Sequence, residues 1–387
     1  MRRGSGATPW LTDPHRPHVL YVAQMPEYSG AELAQMPVML TDAAPLLACP
    51  PGSRMDELAQ SRGIPTTPLP FRSLRHSGGR AETVRSIFRG LASARDLRRV
   101  LRAHPDRRIV YCMQIRPGLL AGIAAIGLRR QVVCNVTDFL PPPPLRQATK
   151  LAFAATVSRC IAHSGAIAAD LVTGSKRLGQ RTTQLSPGIH VDRYDPSAAD
   201  AGAPRAAIVG HVSPTKRTHE AVDIARRVLA ELPAFELRIV GRAQYRHEDF
   251  DYEAELKRAV ADDPALRESV RFCGYASDVP DQLRGLGLLL HCRPDEPFGI
   301  VPLEAMAAGL PVVAPRSSGL LETVVDGETG LLYEPDNLDA AARCVLALVT
   351  DPERAGAMGV AGRRRVEERF SVAVQLAGVD RLLSEVA

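Results

Sequence analysis

Residues 288–303 read LLLHCRPDEPFGIVPL, and Glu304, Ala305 and Met306 follow at once. Leu288, Leu289 and Leu290 make the short apolar run of a covered strand. Pro294, Pro297 and Gly299 then interrupt regular structure, and helical spacing resumes from Ile300 to Ala308. Strand, polar loop and helix is the order in which an open α/β sheet meets a ligand beyond its strand ends. Glu296 falls in the loop and Glu304 about one turn into the helix, so the two carboxylates can face one cavity. Backbone N–H groups at Phe298, Gly299 and Ile300 point outward at such a helix start, where anions bind. Acid and bare amides side by side suit a ligand with hydroxyls at one end and phosphate at the other.

The chain has 387 residues, enough for two or three domains. Its 45% hydrophobic content is ordinary for a globular protein, and no uninterrupted apolar window of about 18 residues announces a membrane span. Gly4 to Pro17 has no apolar core behind Arg2 and Arg3 and reads as a disordered leader rather than a signal peptide. Cys49, Cys112, Cys134, Cys160, Cys273, Cys292 and Cys344 are scattered singly, as buried thiols of a reducing compartment would be, with no structural zinc spacing. His163, His190 and His291 lack metal-ligand spacing and read as packing or surface residues.

The net charge of +5 is divided unevenly. Residues 1–200 hold 26 Lys+Arg against 14 Asp+Glu (+12), and residues 201–387 hold 22 against 29 (−7). The basic half suits an anionic partner or an anionic membrane surface. Its excess gathers between Arg72 and Arg108, with Arg85, Arg89, Arg95, Arg99 and Arg102 spaced along one or more helices. A run of interleaved aromatic residues to stack on bases is lacking, which argues against nucleic acid. A solvated helix face is the plain alternative to a surface for an anionic acceptor or lipid.

Apolar runs and their punctuation predict strands at 18–23, 46–49, 109–113, 132–136 and 159–162, with an extended edge at 66–69. Helices are expected at 31–40, 54–62, 80–102, 118–126, 147–157 and 167–171. The prolines from Pro141 to Pro144 bar both and make a rigid loop. Ser186 to Pro196 (SPGIHVDRYDP) reads as a linker, after which the cycle restarts. Strands are expected at 206–209, 236–240, 270–272, 288–290, 312–313 and 330–333. Intervening helices fall at 219–232, 252–260, 279–283, 338–349 and 352–370. Such alternation means parallel sheets covered on both faces. A last helix, Val372 to Val386, has apolar residues spaced for packing but no strand of its own.

Glu296-Pro-Phe-Gly-Ile-Val-Pro-Leu-Glu304, its continuation through Ala314, Gly327 to Leu332 and Pro187-Gly188-Ile189 carry a resemblance. The chain resembles the family-4 glycosyltransferases, retaining enzymes that use nucleotide-activated sugars, from His18 onward. The resemblance implies an α/β GT-B fold, two Rossmann-like doubly wound parallel-sheet domains facing across a cleft. Residues 1–17 would be leader, 18–190 the acceptor-binding domain, 191–370 the donor-binding domain and 371–387 a helix crossing back to the first. It makes Glu296, Lys216 and Asp138 the catalytic group, with Lys216 holding the diphosphate and Glu296 beside the donor sugar. Glu304 would bind the ribose diol. Gly299, Ile300, Val301 and Phe298 would line the donor site, Gly30 would approach the phosphates, and Gly241 and Arg242 would sit at the base. Glu322 would lie at the pocket edge, and Thr137 and Phe139 on the acceptor side.

Two departures stand out. His211 occupies the place of an arginine that commonly helps with the diphosphate, leaving Arg242 or Arg293 to compensate. Thr137 before Asp138 replaces a histidine that would touch the sugar. The resemblance implies front-face transfer to an acceptor hydroxyl with no metal and no cofactor, because Lys216 and helix-end amides can stabilise the leaving diphosphate. The partners expected are a UDP- or GDP-linked sugar and a hydroxyl-bearing acceptor, anionic or lipid-linked, without nucleic acid. Acceptor choice would reside in loops Pro26–Gly30, Phe71–Gly79 and Phe139–Pro144. The expected location is cytoplasmic, with peripheral contact at the inner face of a membrane. A binding protein that keeps the fold with weakened turnover, or a GT-B epimerase, is the alternative.

Overall fold

A computed structural model of the chain describes residues 10–13, 16–25, 30–72, 80–244, 247–276 and 278–387. Two parallel sheets dominate it. The first contains β1 (His18–Val22), β2 (Leu47–Cys49), β3 (Thr66–Pro68), β4 (Arg107–Cys112), β5 (Gln131–Val136), β6 (Arg159–Ala162) and β7 (Thr182–Gln184), in the order β3-β2-β1-β4-β5-β6-β7. The second contains β8 (Arg205–Val209), β9 (Glu236–Val240), β10 (Val270–Gly274), β11 (Leu288–Leu290), β12 (Val312–Pro315) and β13 (Gly330–Tyr333), in the order β10-β9-β8-β11-β12-β13. Each order winds outward both ways from its first strand. The reversal lies between β1 and β4 in one sheet and between β8 and β11 in the other, and such switch points are where doubly wound sheets bind ligands.

The strands read as apolar runs because helices cover both faces. Leu288, Leu289, Leu290, Val312 and Val313 are each at most 1% exposed. Helix starts are set by short polar side chains: Ser53, Ser164, Asn337 and Asp351 each accept a hydrogen bond from a first-turn N–H.

The chain divides into two compact units, one running to Gly188 and joined by Ala373–Ala387, the other Ile189–Val372. The division falls inside the expected linker, where Pro187 and Gly188 deny the backbone a regular partner. The helix Val372–Val386 buries Val379, Leu382 and Leu383 in the first unit's core with Tyr21, Met39 and Ile161. Its Gln375, 2% exposed, accepts from Gly188 N at 3.1 Å and donates to Ala34 O at 2.8 Å.

Several expectations need correction. The supposed disordered leader is ordered in part: Trp10–Thr12 forms a 3-10 turn, Leu11 is 1% exposed, and its N–H donates to Asp380 at 2.6 Å. Arg16 pairs with Asp42 out of water and lies over the Trp10 ring. These contacts join residues far apart in sequence, so local composition gave no sign of them. The single helix at 31–40 is two pieces, Gly30–Leu33 and Met36–Thr41, because Pro37 is accommodated only in a first turn. The polar edge strand Thr182–Gln184 shows no alternation and escaped sequence reading. The helix expected at 252–260 begins earlier, at His247. Of the acceptor loops, residues 26–29 and 73–79 lie outside the described residues, as does Tyr245.

Leu383, fully buried, tests the returning helix. Leu383→Ala should cost about 2–5 kcal/mol by transfer and cavity formation, seen as a lower urea midpoint at unchanged helical content. A midpoint equal to wild type would show that this helix contributes no core.

Candidate active site

The site in the second unit begins with two strand ends that nearly touch. β8 passes into Gly210 (φ 144°) and β9 into Gly241 (φ 140°). A Cβ on Gly241 would lie 1.8 Å from Gly210 O, so this approach requires glycine. Gly210 N donates to Val240 O at 2.9 Å and Val212 N to Arg242 O at 3.1 Å, which fixes the start of the loop after β8. The loop closes in a 3-10 turn, Pro214–Lys216, capped by buried Ser213, whose hydroxyl accepts from Lys216 N at 3.3 Å. Arg217, in left-handed conformation, leads into the helix Thr218–Glu231 and pairs with Glu220 and Asp336.

The loop after β11 is held from its far side. Gly319 N donates to Glu296 O at 3.0 Å and the Ser317 hydroxyl donates to Pro294 O. Gly319 also has no room for a Cβ, which would lie 2.3 Å from Pro297 O. Phe298 is 4% exposed and packs edge-on against Phe370 at 5.9 Å. Gly299, at φ 98°, then turns the chain into the helix Ile300–Ala307. The N–H groups at this helix start lack intrahelical acceptors by geometry.

β8 and β11 are neighbours, so their loops meet. Lys216 Nζ lies 2.9 Å from Glu296 Oε2, and the same oxygen is 3.4 Å from His291 Nε2 and 3.9 Å from Arg293 Nη1. His291 Nε2 is buried, and Glu296 Oε2 is the polar atom it faces. A cavity lined by Gly210, His211, Lys216, Thr218 and His291 opens beside this cluster.

The electrostatics of the two glutamates diverge. Burial pushes the Glu296 carboxyl up, but Lys216, His291 and Arg293 together outweigh it and hold the group well below the usual carboxylate range. Burial lowers the His291 pKa more than Glu296 raises it, and burial followed by Lys216 lowers that of His211. Both imidazoles are therefore neutral near pH 7. Glu304 is raised to about 7 by burial, against opposing effects of the Tyr194 hydroxyl and Arg193. The Tyr194 O–H donates to Glu304 Oε1 at 2.9 Å. The same burial thus leaves one acid shifted toward its charged form and the other raised to about 7.

The structure thus brings together Lys216, Glu296 and Arg293, with His211 at the cavity wall and Gly299, Ile300 and Val301 at the adjoining helix start. Arg242 is exposed and lies over the Tyr275 ring at 5.5 Å. Glu322 sits in the short helix Leu320–Thr323, where its backbone carbonyl accepts from Arg365 at 2.6 Å. Gly30, Thr137, Asp138 and Phe139 belong to the first unit, after β1 and β5. Asp138 is exposed, and one of its oxygens accepts from Phe139 N at 2.8 Å. Sequence reading did not single out Tyr194, and it took His291 for a packing or surface residue; His291 is buried and lines the cavity. A polar residue directly after the apolar run of a switch-point strand was the available signal for His291. Tyr194 carried none, since its partner Glu304 is 110 residues away.

Residues 195–365 match the model of the glycosyl transferases group 1 family. The lipopolysaccharide core biosynthesis mannosyltransferase LpsB of Rhizobium meliloti is 34% identical over 165 residues, 42% of this chain and 46% of that protein. The GDP-mannose-dependent alpha-(1-6)-phosphatidylinositol monomannoside mannosyltransferase of Mycolicibacterium smegmatis is 32% identical over 225 residues, 52% of this chain and 55% of that protein. The chain thus spans about half the length of the curated relatives it matches. Among solved structures, Anabaena Alr3699/HepE in complex with UDP superposes with TM-score 0.81 at 22% identity, over 95% of this chain and all of that one. Sucrose-phosphate synthase from Thermosynechococcus elongatus gives 0.75 at 18% identity, over 96% of this chain and all of that one. At such identities the likeness is one of fold, and the fold is GT-B. With the motif around Glu296 and Glu304 seated at the switch point of a doubly wound sheet, residues 195–365 are similar to the group 1 glycosyl transferases.

Proposed function

We propose that the chain transfers a sugar from a nucleoside diphosphate sugar to an acceptor hydroxyl with retention of anomeric configuration and without a metal. The observation that carries this reading is the Lys216–Glu296 pair at the switch point, 2.9 Å apart beside a glycine-turned helix start. Diphosphate would lie against Lys216 and the amides near Gly299, where cation and helix dipole favour negative charge. The ribose diol would donate to Glu304. A carboxylate accepting two hydroxyl protons is stabilised in its charged form, so donor binding would release the proton Glu304 holds near neutrality.

Glu296, charged throughout the working range, would sit beside the donor sugar and stabilise positive charge developing at the anomeric carbon. The acceptor oxygen would form its bond to that carbon on the face from which the phosphate oxygen departs. The acceptor proton would pass to the departing phosphate oxygen. Neutral His211 would offer the diphosphate a hydrogen bond rather than a fixed charge, leaving Lys216 as the principal cation. GDP-mannose is the first donor to test, because relatives bear that dependence in their names; UDP-sugars come next.

Incubation with GDP-mannose and UDP-sugars, followed by nucleotide release and proton NMR of the product, tests the reading. An α product from an α donor is expected. An inverted product would end the claim of retention, and failure of every nucleotide sugar to release nucleotide or shift the melting temperature would end the claim of transfer.

Glu296→Ala should reduce kcat by about 10²–10³, as losing a charge-stabilising group does, with donor affinity within about threefold. Glu304→Ala should instead weaken donor binding by about tenfold or more, the scale of losing a charged hydrogen bond, with the smaller effect on kcat.

Glu304 also makes a stability prediction. Its folded pKa of about 7 exceeds the ordinary 4.5, so between those values the folded state holds a proton the unfolded state has lost. Wild-type stability should fall relative to Glu304→Gln as pH rises through that window, by at most ~3 kcal/mol, and then level off. Parallel stability curves for the two proteins from pH 4 to 8 would contradict a proton-holding Glu304.

A further inference from the structure

The helix Arg80–Ala103 carries seven arginines against Glu82 and Asp96. Phe88, Leu91, Arg95, Arg99 and Arg102 recur at steps of three and four residues, which puts them on one side of the helix. Phe88 is 67% and Leu91 53% exposed, and the three arginines are exposed as well. Asp96 is engaged by Arg72 at 2.8 Å and Arg99 at 2.9 Å, whereas Arg95 and Arg102 have no acidic partner among the described residues. Arg98 donates to Ala124 O and Ile126 O at 2.8 and 2.7 Å, tying on the helix Ile115–Ala124. That helix abuts Leu145–Thr156 so closely that a Cβ on Gly122 would lie 2.1 Å from Thr156 Oγ1. These two neighbours add Ile126, 60% exposed, and Leu151, 72% exposed.

Single exposed apolar residues are ordinary. Here three adjoining helices of one layer expose large apolar side chains beside guanidinium groups with few acids among them. We propose that this helical layer of the first unit is a docking surface for an anionic phospholipid bilayer. Arginines at the rim meet headgroup phosphates, while Phe88, Leu91, Ile126 and Leu151 enter the boundary of the acyl chains. A nucleic acid would engage the arginines but give the aliphatic side chains nothing. No described helix is long and apolar enough to cross a membrane, so the surface is one that lies on a bilayer. The inference is independent of the transferase reading, since none of these residues belongs to the site around Glu296.

The test is cosedimentation of the full chain with vesicles of phosphatidylcholine alone and of phosphatidylcholine with phosphatidylglycerol. Binding to the anionic vesicles should be at least about tenfold tighter and should weaken as salt rises. Arg95→Glu/Arg102→Glu and Phe88→Ser/Leu91→Ser should each reduce it about tenfold, at unchanged melting temperature and unchanged melting shift with nucleotide sugar. Arg267→Glu, in the second unit, should leave it intact. Equal affinity for both vesicles, or none for either, would overturn the proposal. So would equally tight binding to duplex DNA, or a dimer that Phe88→Ser/Leu91→Ser converts to monomer.

Discussion

A carboxylate taken out of water stays charged only where cations are held against it. At Glu296 that condition is met by Lys216 from the loop after β8 and by Arg293 from its own loop. A one-sided change would leave a buried charge uncompensated, which costs more than the pair contributes. The geometry that brings them together is therefore the constraint on which the site depends. It requires adjacent strands whose loops emerge at the same sheet edge, and a doubly wound order supplies such an edge once, at its reversal.

Rigidity at that edge comes from backbone contacts more than from side chains. Gly210 and Gly241 let two strand ends approach, and Gly319 lets a turn press against Pro297 and Phe298. Phe298 on Phe370 anchors the loop's apolar side. A charged ligand meeting this loop would find its dipoles and ions already oriented, with little reorganisation to oppose it. Glu304 behaves differently under the same burial. Its partners are a tyrosine hydroxyl and a distant arginine rather than a contacting cation, so the proton is retained up to about neutrality.

The first unit shows a complementary economy. Its core is completed by the final helix, whose Val379, Leu382 and Leu383 would otherwise remain in water. The same contact explains why residues near Leu11 and Arg16 are ordered: Asp380 and Asp42 give their polar groups partners. The opposite layer exposes arginines beside Phe88 and Leu91 among the described residues.

Much of this was legible in the order of residues. Runs such as Leu288–Leu290 announced covered strands, proline and glycine marked the loop between Cys292 and Ile300, and the two glutamates at their spacing carried the family resemblance. Local patterning sufficed because each feature is specified by neighbours within a turn or a strand. Polar, unpatterned β7 and the broken helix around Pro37 were weak for the same reason, since their conformations follow from the sheet edge and from tertiary cover. Which groups share a cluster was another matter. Lys216 and Glu296 lie 80 residues apart, and His291 joins them only because β11 pairs with β8. The sequence by itself determined the α/β cycle and set Glu296 and Glu304 in the loop and helix after β11. Only the tertiary structure decided their charges, because desolvation and Coulomb attraction depend on distances that chain spacing does not set.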